Sequence, residues 1–362
     1  MRAAGRTPPA ARARLASQQI AGTKLSSPKS LVAWMVAMQA QDFPMSKWAV
    51  GVRLPACTEQ DTERALAAGE IIRTHLLRPT WHMVSADDLR WLLALTGPRI
   101  KASLRSRHRQ LELTDEVVRK SHRVIEKTAR DGQHPSREAI IERLRAAGIP
   151  TDENRASHLL LVAELDAIVC SGPTARGRPT YALVDERVPA VPPLPRDEAL
   201  AALARRYFTS RCPAARDDFA WWSGLAARDV TRAMDLVKED FHGEEVGAQT
   251  CWVPESFSPP KARSETAYLL PAYDEYTLSY RDRSAAVPTD RTATAVSRNG
   301  IFYPLVIHEG RAVGTWKRIR EGNGTVVRAE LFGRPSAALR ALLQRACRHY
   351  SRFLQVPVRL QA

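Results

Sequence analysis

His134-Pro135-Ser136-Arg137-Glu138-Ala139-Ile140-Ile141-Glu142-Arg143-Leu144-Arg145-Ala146-Ala147-Gly148 opens the stretch that decides the fold. It reads as a short helix ending at the glycine, and a second helix follows from Asp152 to Ala167, with Leu159, Leu160, Val162 and Leu165 on its apolar side. Ile168-Val169-Cys170 and Thr180-Tyr181-Ala182-Leu183-Val184 then pair as a hairpin around Gly172-Pro173-Thr174-Ala175-Arg176-Gly177-Arg178-Pro179. Helix, turn, helix and hairpin together make a winged-helix plan. Arg176 and Arg178, set among glycines at the tip of the wing, suit contact with a phosphate backbone. A solvated hairpin tip accounts for them equally well.

Working outward, the same plan recurs on either side. Upstream, helices over Ala10–Ile20, Pro28–Met38, Pro44–Arg53 and Thr58–Ala68 lead into strands Ile72–Leu77 and Thr80–Val84 around Arg78-Pro79, and a further helix starts at Ser85. A charged helix over Thr114–Arg130 precedes the central unit. Downstream, the proline-rich run Val188 to Pro195 reads as an extended linker. A third unit follows, with a helix over Arg196–Thr209, the run Asp217 to Trp222, a turn at Ser223-Gly224-Leu225 and a helix through Met234. Trp221 and Trp222 cannot both face inward on one helix, so one of them marks a contact between units or packs in the core. From Glu244 the pattern changes to strands, at Gln249–Val253, Thr266–Leu270, Tyr276–Tyr280, Gly300–Ile307, Arg311–Trp316 and Thr325–Leu331, closed by a helix over Ser336–Leu354. The expected class is α+β, mostly helical: three tandem winged-helix units over residues 10–112, 113–190 and 196–255, then a β-rich region with a terminal helix over 256–362.

A composition of 44% hydrophobic and 26% charged residues is ordinary for a globular chain, so several cores are available without staples. Against 39 acidic residues stand 54 basic ones, of which only nine are Lys. Arg forks match phosphate oxygens bidentately, and so large a surplus attracts a polyanion and releases its counterions on binding. Nucleic acid is the expected partner. The five cysteines, Cys57, Cys170, Cys212, Cys251 and Cys347, are odd in number, far apart and without metal-ligand spacing, which fits free thiols in a reducing cytoplasm and no bound metal. No run is long enough to span a membrane, and Met1 to Arg14 lacks the apolar stretch of a secretory signal, reading instead as a basic arm. A cytoplasmic, nucleoid-associated protein follows.

The chemistry rests on Gln39-Ala40-Gln41, two carboxamides closing the apolar run Leu31 to Met38, which reads as a buried helix. A glutamine both donates and accepts but takes no proton at neutral pH, so the pair can hold water or a polar ligand without serving as a strong base. Capping of a helix end is the plainer use of such side chains.

Five stretches in order along the chain resemble segments of the AlkZ/YcaQ winged-helix DNA glycosylases. They are Met38-Gln39-Ala40-Gln41-Asp42, Arg78-Pro79-Thr80-Trp81-His82-Met83-Val84, Asp218 to Leu225, Leu270 to Tyr276 with Arg281-Asp282-Arg283, and Gly314-Thr315-Trp316-Lys317-Arg318. The resemblance implies tandem winged helices curved around a DNA-sized channel, with double-stranded DNA carrying alkylated purines or crosslinks as the partner. It further implies excision of alkylated purines, including unhooking of interstrand crosslinks, without a cofactor. The family motif is Gln, an apolar residue, then Gln or Asp. Gln41 places this chain in the Gln-ending branch, associated with self-resistance to DNA-alkylating antibiotics. On that resemblance Gln39 and Gln41 are the catalytic candidates, and Arg281, Arg283, Lys317 and Arg318 join Arg176 and Arg178 as candidate DNA contacts.

Asp42, a true base one residue on, is read chiefly as a helix-end or salt-bridge residue. His82 is either a cleft residue or a satisfied core histidine. Asp274, Glu275, Arg281 and Arg283 form either a polar network behind a DNA-contacting hairpin or a charged turn. The rival reading of the whole chain is a winged-helix transcription regulator without chemistry. Three unequal copies in one chain argue instead for a monomer that encloses DNA, and the lack of clustered Asp, Glu and His argues against a metal-dependent nuclease.

Overall fold

The computed structural model describes residues 9–258 and 266–361. In chain order the elements are α1 (Pro9–Ser17), α2 (Pro28–Met35), β1 (Ala37–Gln39), α3 (Phe43–Gly51), α4 (Glu59–Ala67), β2 (Ile71–Leu76), β3 (Thr80–Ser85) and α5 (Ala86–Gln110). There follow α6 (Asp115–Ala129), α7 (Arg137–Ala146), α8 (Arg155–Leu165), β4 (Val169–Ser171), β5 (Tyr181–Leu183) and α9 (Val184–Arg187). Next come α10 (Arg196–Ser210), β6 (Ala214–Ala215), α11 (Arg216–Ser223), α12 (Ala227–Val237), β7 (Phe241–Val246) and β8 (Gln249–Pro254). The chain ends with β9 (Ala267–Leu270), α13 (Glu275–Leu278), α14 (Thr292–Ala295), β10 (Leu305–His308), β11 (Arg311–Glu321), β12 (Gly324–Leu331), α15 (Ala337–Leu354) and β13 (Val358–Gln361). The class is α+β, as expected.

One arrangement recurs: a helix, a short strand, two helices, then a hairpin whose second strand pairs with the short one. It runs from α2 to β3 in a sheet of order β1-β3-β2, and from α10 to β8 in a sheet of order β6-β8-β7. In the central stretch the short strand shrinks to a single bridge, Ser136 to Thr180, beside the β4-β5 hairpin. Local chemistry sets the starts. Ser27 and Ser30 form a capping box at α2 with Pro28 behind the cap, Thr58 and Asp61 do the same at α4, and Thr114 and Ser136 cap α6 and α7.

The first and third stretches share one core, in which α5, α10 and α12 meet the β2-β3 hairpin, while the central stretch has its own around Ile125, Ile140, Leu144 and Leu159. The five-stranded sheet β13-β12-β11-β10-β9 builds a further core with α15 and with residues from the other end of the chain, Leu15, Ile20, Met45 and Trp48. Trp48 and Trp316 donate their ring N–H groups to the consecutive carbonyls of Leu269 and Leu270, both at 2.7 Å. Buried indoles need such partners, and here they fasten β9 from two sides.

Three expectations change. Residues 1–8 of the expected basic arm lie outside the described residues, but from Pro9 the chain is helical, and Arg14 is buried with its guanidinium over the Tyr280 ring, donating to the carbonyl of Pro213. Tyr276–Tyr280 is no strand. Asp274 caps the short helix α13 there, and Tyr276, Leu278 and Tyr280 are all buried, so their two-residue spacing reflected burial on every side rather than a pleat. Finally, α2 stops at Met35, three residues before the expected end.

Candidate active site

That early stop places Gln39 on strand β1 and Gln41 in the bend just before α3, neither of them at the end of α2. Val36 takes φ +62° and ψ −56°, a conformation a β-branched residue adopts only when its surroundings impose it. Arg211, fully buried, imposes it by donating to the carbonyls on either side, Met35 and Ala37, each at 3.0 Å. The chain then runs antiparallel to β3, with Ala37, Met38 and Gln39 opposite Val84, Met83 and His82, and the ladder continues as the Ala40 N–H donates to Trp81. Gln39 ends β1, buried at 5% exposure, and Gln41 lies exposed in the bend that leads into α3.

Gln39 is held twice. Its N–H donates to Glu275 Oε1 at 2.8 Å, and its side-chain oxygen accepts from the Thr80 hydroxyl at 3.3 Å. Ala40 turns its carbonyl to Arg73, whose Nε and Nη2 both donate at 3.1 Å while the guanidinium lies 4.0 Å from the Trp81 ring centroid and 5.0 Å from that of Phe43. Burial lowers the pKa of Arg73 to about 10, with Glu164 opposing, so it stays a cation.

His82, opposite Gln39, is fully buried with Nδ1 on the Thr80 carbonyl at 2.9 Å. Burial drives its pKa down to about 4, outweighing the attraction of Glu275, so it is neutral at pH 7 with Nδ1–H as the donor. Asp42 caps α3 through the Met45 N–H at 3.1 Å, which is the helix-end reading. It also borders the open side of the motif, a concavity of about 550 Å³ lined by Gln41, Asp42, Phe43, Tyr273, Phe302 and Tyr303. The turn at Arg78-Pro79 closes the other flank and seats on Gly224, where a Cβ would stand 3.0 Å from the Leu77 carbonyl oxygen.

The candidate DNA contacts are spread over the surface. Arg176 and Arg178 are exposed at the tip of the β4-β5 wing. Arg281 is exposed and paired with Asp217 at 2.8 Å, and Lys317 faces Glu330 at 3.6 Å. Arg318 donates to the Tyr350 hydroxyl at 3.4 Å. Arg283 is half-buried: it donates to the Thr277 and Arg281 carbonyls and stacks 5.3 Å from Trp221 and 5.0 Å from Phe302, which makes it part of a wall.

Of the two readings of Asp274 and Glu275 their burial favours the polar network, but with arginines that sequence reasoning missed. Asp274 and Glu275 are buried, not a charged surface turn, and each meets a fully buried arginine, Arg53 at 2.8 Å and Arg211 at 2.9 Å. Glu275 Oε2 also accepts from the Trp222 ring N–H at 3.0 Å and from the Ser279 hydroxyl. Burial alone would raise this carboxyl, but Arg211, Ser279 and the Gln39 N–H outweigh it and hold the pKa below its ordinary value. The Trp221-Trp222 pair resolves accordingly. Trp222 is the buried member, and Trp221, 39% exposed, lies between Arg78 and Arg283.

A fold of recurring helix-and-hairpin units, with one carboxamide at the end of an edge strand and a second two residues on, is that of one group of base-excising enzymes. The family model described as DNA glycosylase AlkZ-like matches residues 32–353, and the chain belongs to that family. The "Interstrand DNA cross-link repair glycosylase" of Streptomyces sahachiroi is 25% identical over 316 residues, which is 80% of this chain and 82% of that protein. The solved structure of "Streptomyces sahachiroi DNA glycosylase AlkZ" matches with TM-score 0.80 over 99% of this chain and 100% of that one, and at 17% identity this likeness speaks for the fold. The protein is thus a DNA glycosylase, and the reading as a transcription regulator without catalysis is overturned by the family match. No helix among the described residues is long and apolar enough to cross a membrane.

Proposed function

We propose that this glycosylase hydrolyses the N-glycosidic bond of N7-alkylated purines in duplex DNA and unhooks interstrand crosslinks built on them, in DNA repair or in self-resistance to a DNA-alkylating antibiotic. The observation that carries this reading is the pair Gln39 and Gln41, one carboxamide fixed and the next facing an open concavity. The crosslink substrate is favoured by the name of the Streptomyces sahachiroi relative.

Alkylation at N7 leaves the purine ring positively charged, so breaking the bond to C1′ neutralises the departing base and no general acid is required. Two tasks remain for the protein, placing water at C1′ and stabilising the oxocarbenium-like sugar. Gln39 and Gln41 perform them jointly, as preorganised amide dipoles aimed at the developing charge. His82, neutral and buried, has no acid-base part. Asp42 serves α3 and the rim of the cleft. An open concavity suits a base tethered to the opposite strand, which cannot swing fully out of the helix as a free base does.

Binding is assigned to the cations. Arg176, Arg178, Arg281, Lys317 and Arg318 meet phosphates, and Arg283 orders the wall around Trp221. The segments 10–112, 113–190 and 196–255 act as winged-helix units and 256–362 as a buttress, in a monomer that works on the nucleoid in the cytoplasm.

The test is to incubate the protein with one duplex carrying an N7-alkylguanine and another carrying an N7-to-N7 crosslink, and to follow abasic-site formation by gel. Release of the modified base from both is the expected result. Tight binding to both without release would refute the hydrolysis of these lesions.

A further inference from the structure

We propose that Glu275 is a positioning residue for base excision, acting with Arg211 as a built-in template that sets the edge strand ending at Gln39. The proposal rests on the reading of Gln39 and Gln41 as the catalytic pair.

β1 lies at the edge of its sheet, paired only with β3. In an antiparallel strand the N–H and C=O groups of alternate residues point away from the partner, and on an edge they are left for something else to satisfy. Here a single ion pair meets two of them, and the last carbonyl of α2 besides. Arg211 takes the Met35 and Ala37 carbonyls, and Glu275 takes the Gln39 N–H. Three backbone groups at 35, 37 and 39 are thereby referred to two rigid side chains, as if a further strand lay alongside.

The pair has no slack. Arg211 has five N–H donors, and all five are used: Nε on the Ser279 hydroxyl, Nη1 on Met35 and the Ser210 hydroxyl, Nη2 on Ala37 and Glu275. Glu275 offers about four acceptor positions and meets four donors, from Gln39, Arg211, Trp222 and Ser279. A network filled on both sides in a dry interior admits few alternative arrangements. Its members come from the end of α10, from α11 and from α13, so the third helix-and-hairpin stretch reaches the backbone before the motif through Arg211 and the C-terminal region reaches Gln39 through Glu275. A neutral residue would serve a core equally well, and a shorter acid would reach Arg211 but not Gln39. Glu275 instead spans from the arginine to the one backbone N–H that sets where the Gln39 side chain begins.

The experiment is single-turnover base release from an N7-alkylguanine duplex alongside DNA affinity by fluorescence anisotropy, for wild type, Glu275→Asp and Glu275→Gln, with Ile140→Val, in the separate core of the central stretch, as a destabilised control. Displacing a reacting group by about 1 Å costs about 10²-fold in rate. The expected result is a fall of that order for both Glu275 variants, affinity within about threefold of wild type, and an unchanged rate in the control. Should both variants fail to fold, Ser279→Ala and Trp222→Phe, each deleting one donor to the carboxylate, take their place with a drop of about three- to tenfold expected. Folded Glu275 variants at the wild-type rate, or Ser279→Ala and Trp222→Phe at the wild-type rate, would overturn the proposal. Wild-type enzyme inactive on this duplex would count against the substrate reading instead, and full activity in Gln39→Ala would count against the catalytic pair.

Discussion

Two adjacent acids, Asp274 and Glu275, each bind a buried arginine, and the two knots are nearly identical in chemistry. Arg53 uses all five donors, on the Gln18 carbonyl and side-chain oxygen, the Ala49 carbonyl and both oxygens of Asp274, just as Arg211 uses all five of its own. The desolvation cost is alike, and a buried pair is weak support for stability as such. What differs is the backbone each knot holds. Arg53 and Asp274 tie the end of α1 and the helix α3 to the cap of α13, while Arg211 and Glu275 hold the residues immediately before and within the glutamine motif. The same device is architectural in one place and, on our proposal, sets catalytic geometry in the other.

Breaking either knot at the arginine leaves an unpaired buried carboxylate, so Arg53→Met and Arg211→Met should each lose about 3–5 kcal/mol in urea unfolding. A loss below about 1 kcal/mol in either would show that water reaches the acid and would end the comparison.

A second contrast is set by pH. His82 lies against the motif with its pKa lowered to about 4 by burial, whereas the wing arginines stand exposed. The unfolded chain protonates His82 near pH 6.5 and the folded one only near pH 4, so stability is full above the upper value and is lost as pH falls through that window. His82 alone accounts for about 2 kcal/mol between pH 7 and pH 5. His349, lowered to about 4 by burial, adds to the same slope, so the share of His82 is read as wild type minus His82→Phe. Identical slopes in the two proteins would contradict its burial in the neutral form.

The smallest effect belongs to the wing. Arg176→Ala with Arg178→Ala should weaken binding to all duplexes alike and lower the slope of log K against log salt by about 2, leaving single-turnover release intact. An unchanged salt slope would make the wing tip a bystander.

The helices and hairpins could be read from the chain because local periodicity and capping decide them, as Ser136, Thr114 and Thr58 show. The site could be read only by residue identity. Every residue from Leu31 to Met38 is apolar or small, and such a run looks the same as buried helix or buried strand. The break at Val36 is made by Arg211, more than 170 residues away in sequence, and no local signal announces it. Arg53 and Arg211 escaped as the partners of Asp274 and Glu275 for a related reason. A charged side chain is ordinarily solvated, and only the fold shows that these four neutralise one another. One hint was available, the paired Asp274-Glu275 set among the apolar residues Leu269, Leu270, Tyr276 and Leu278.

The most direct measurement is base release by Gln39→Ala and Gln41→Ala under single-turnover conditions, with duplex affinity measured in parallel. Losing one preorganised dipole at a developing charge costs about 10²- to 10³-fold. The account predicts a loss of that order in each variant, with affinity within about threefold of wild type. Wild-type release rates in both would contradict it.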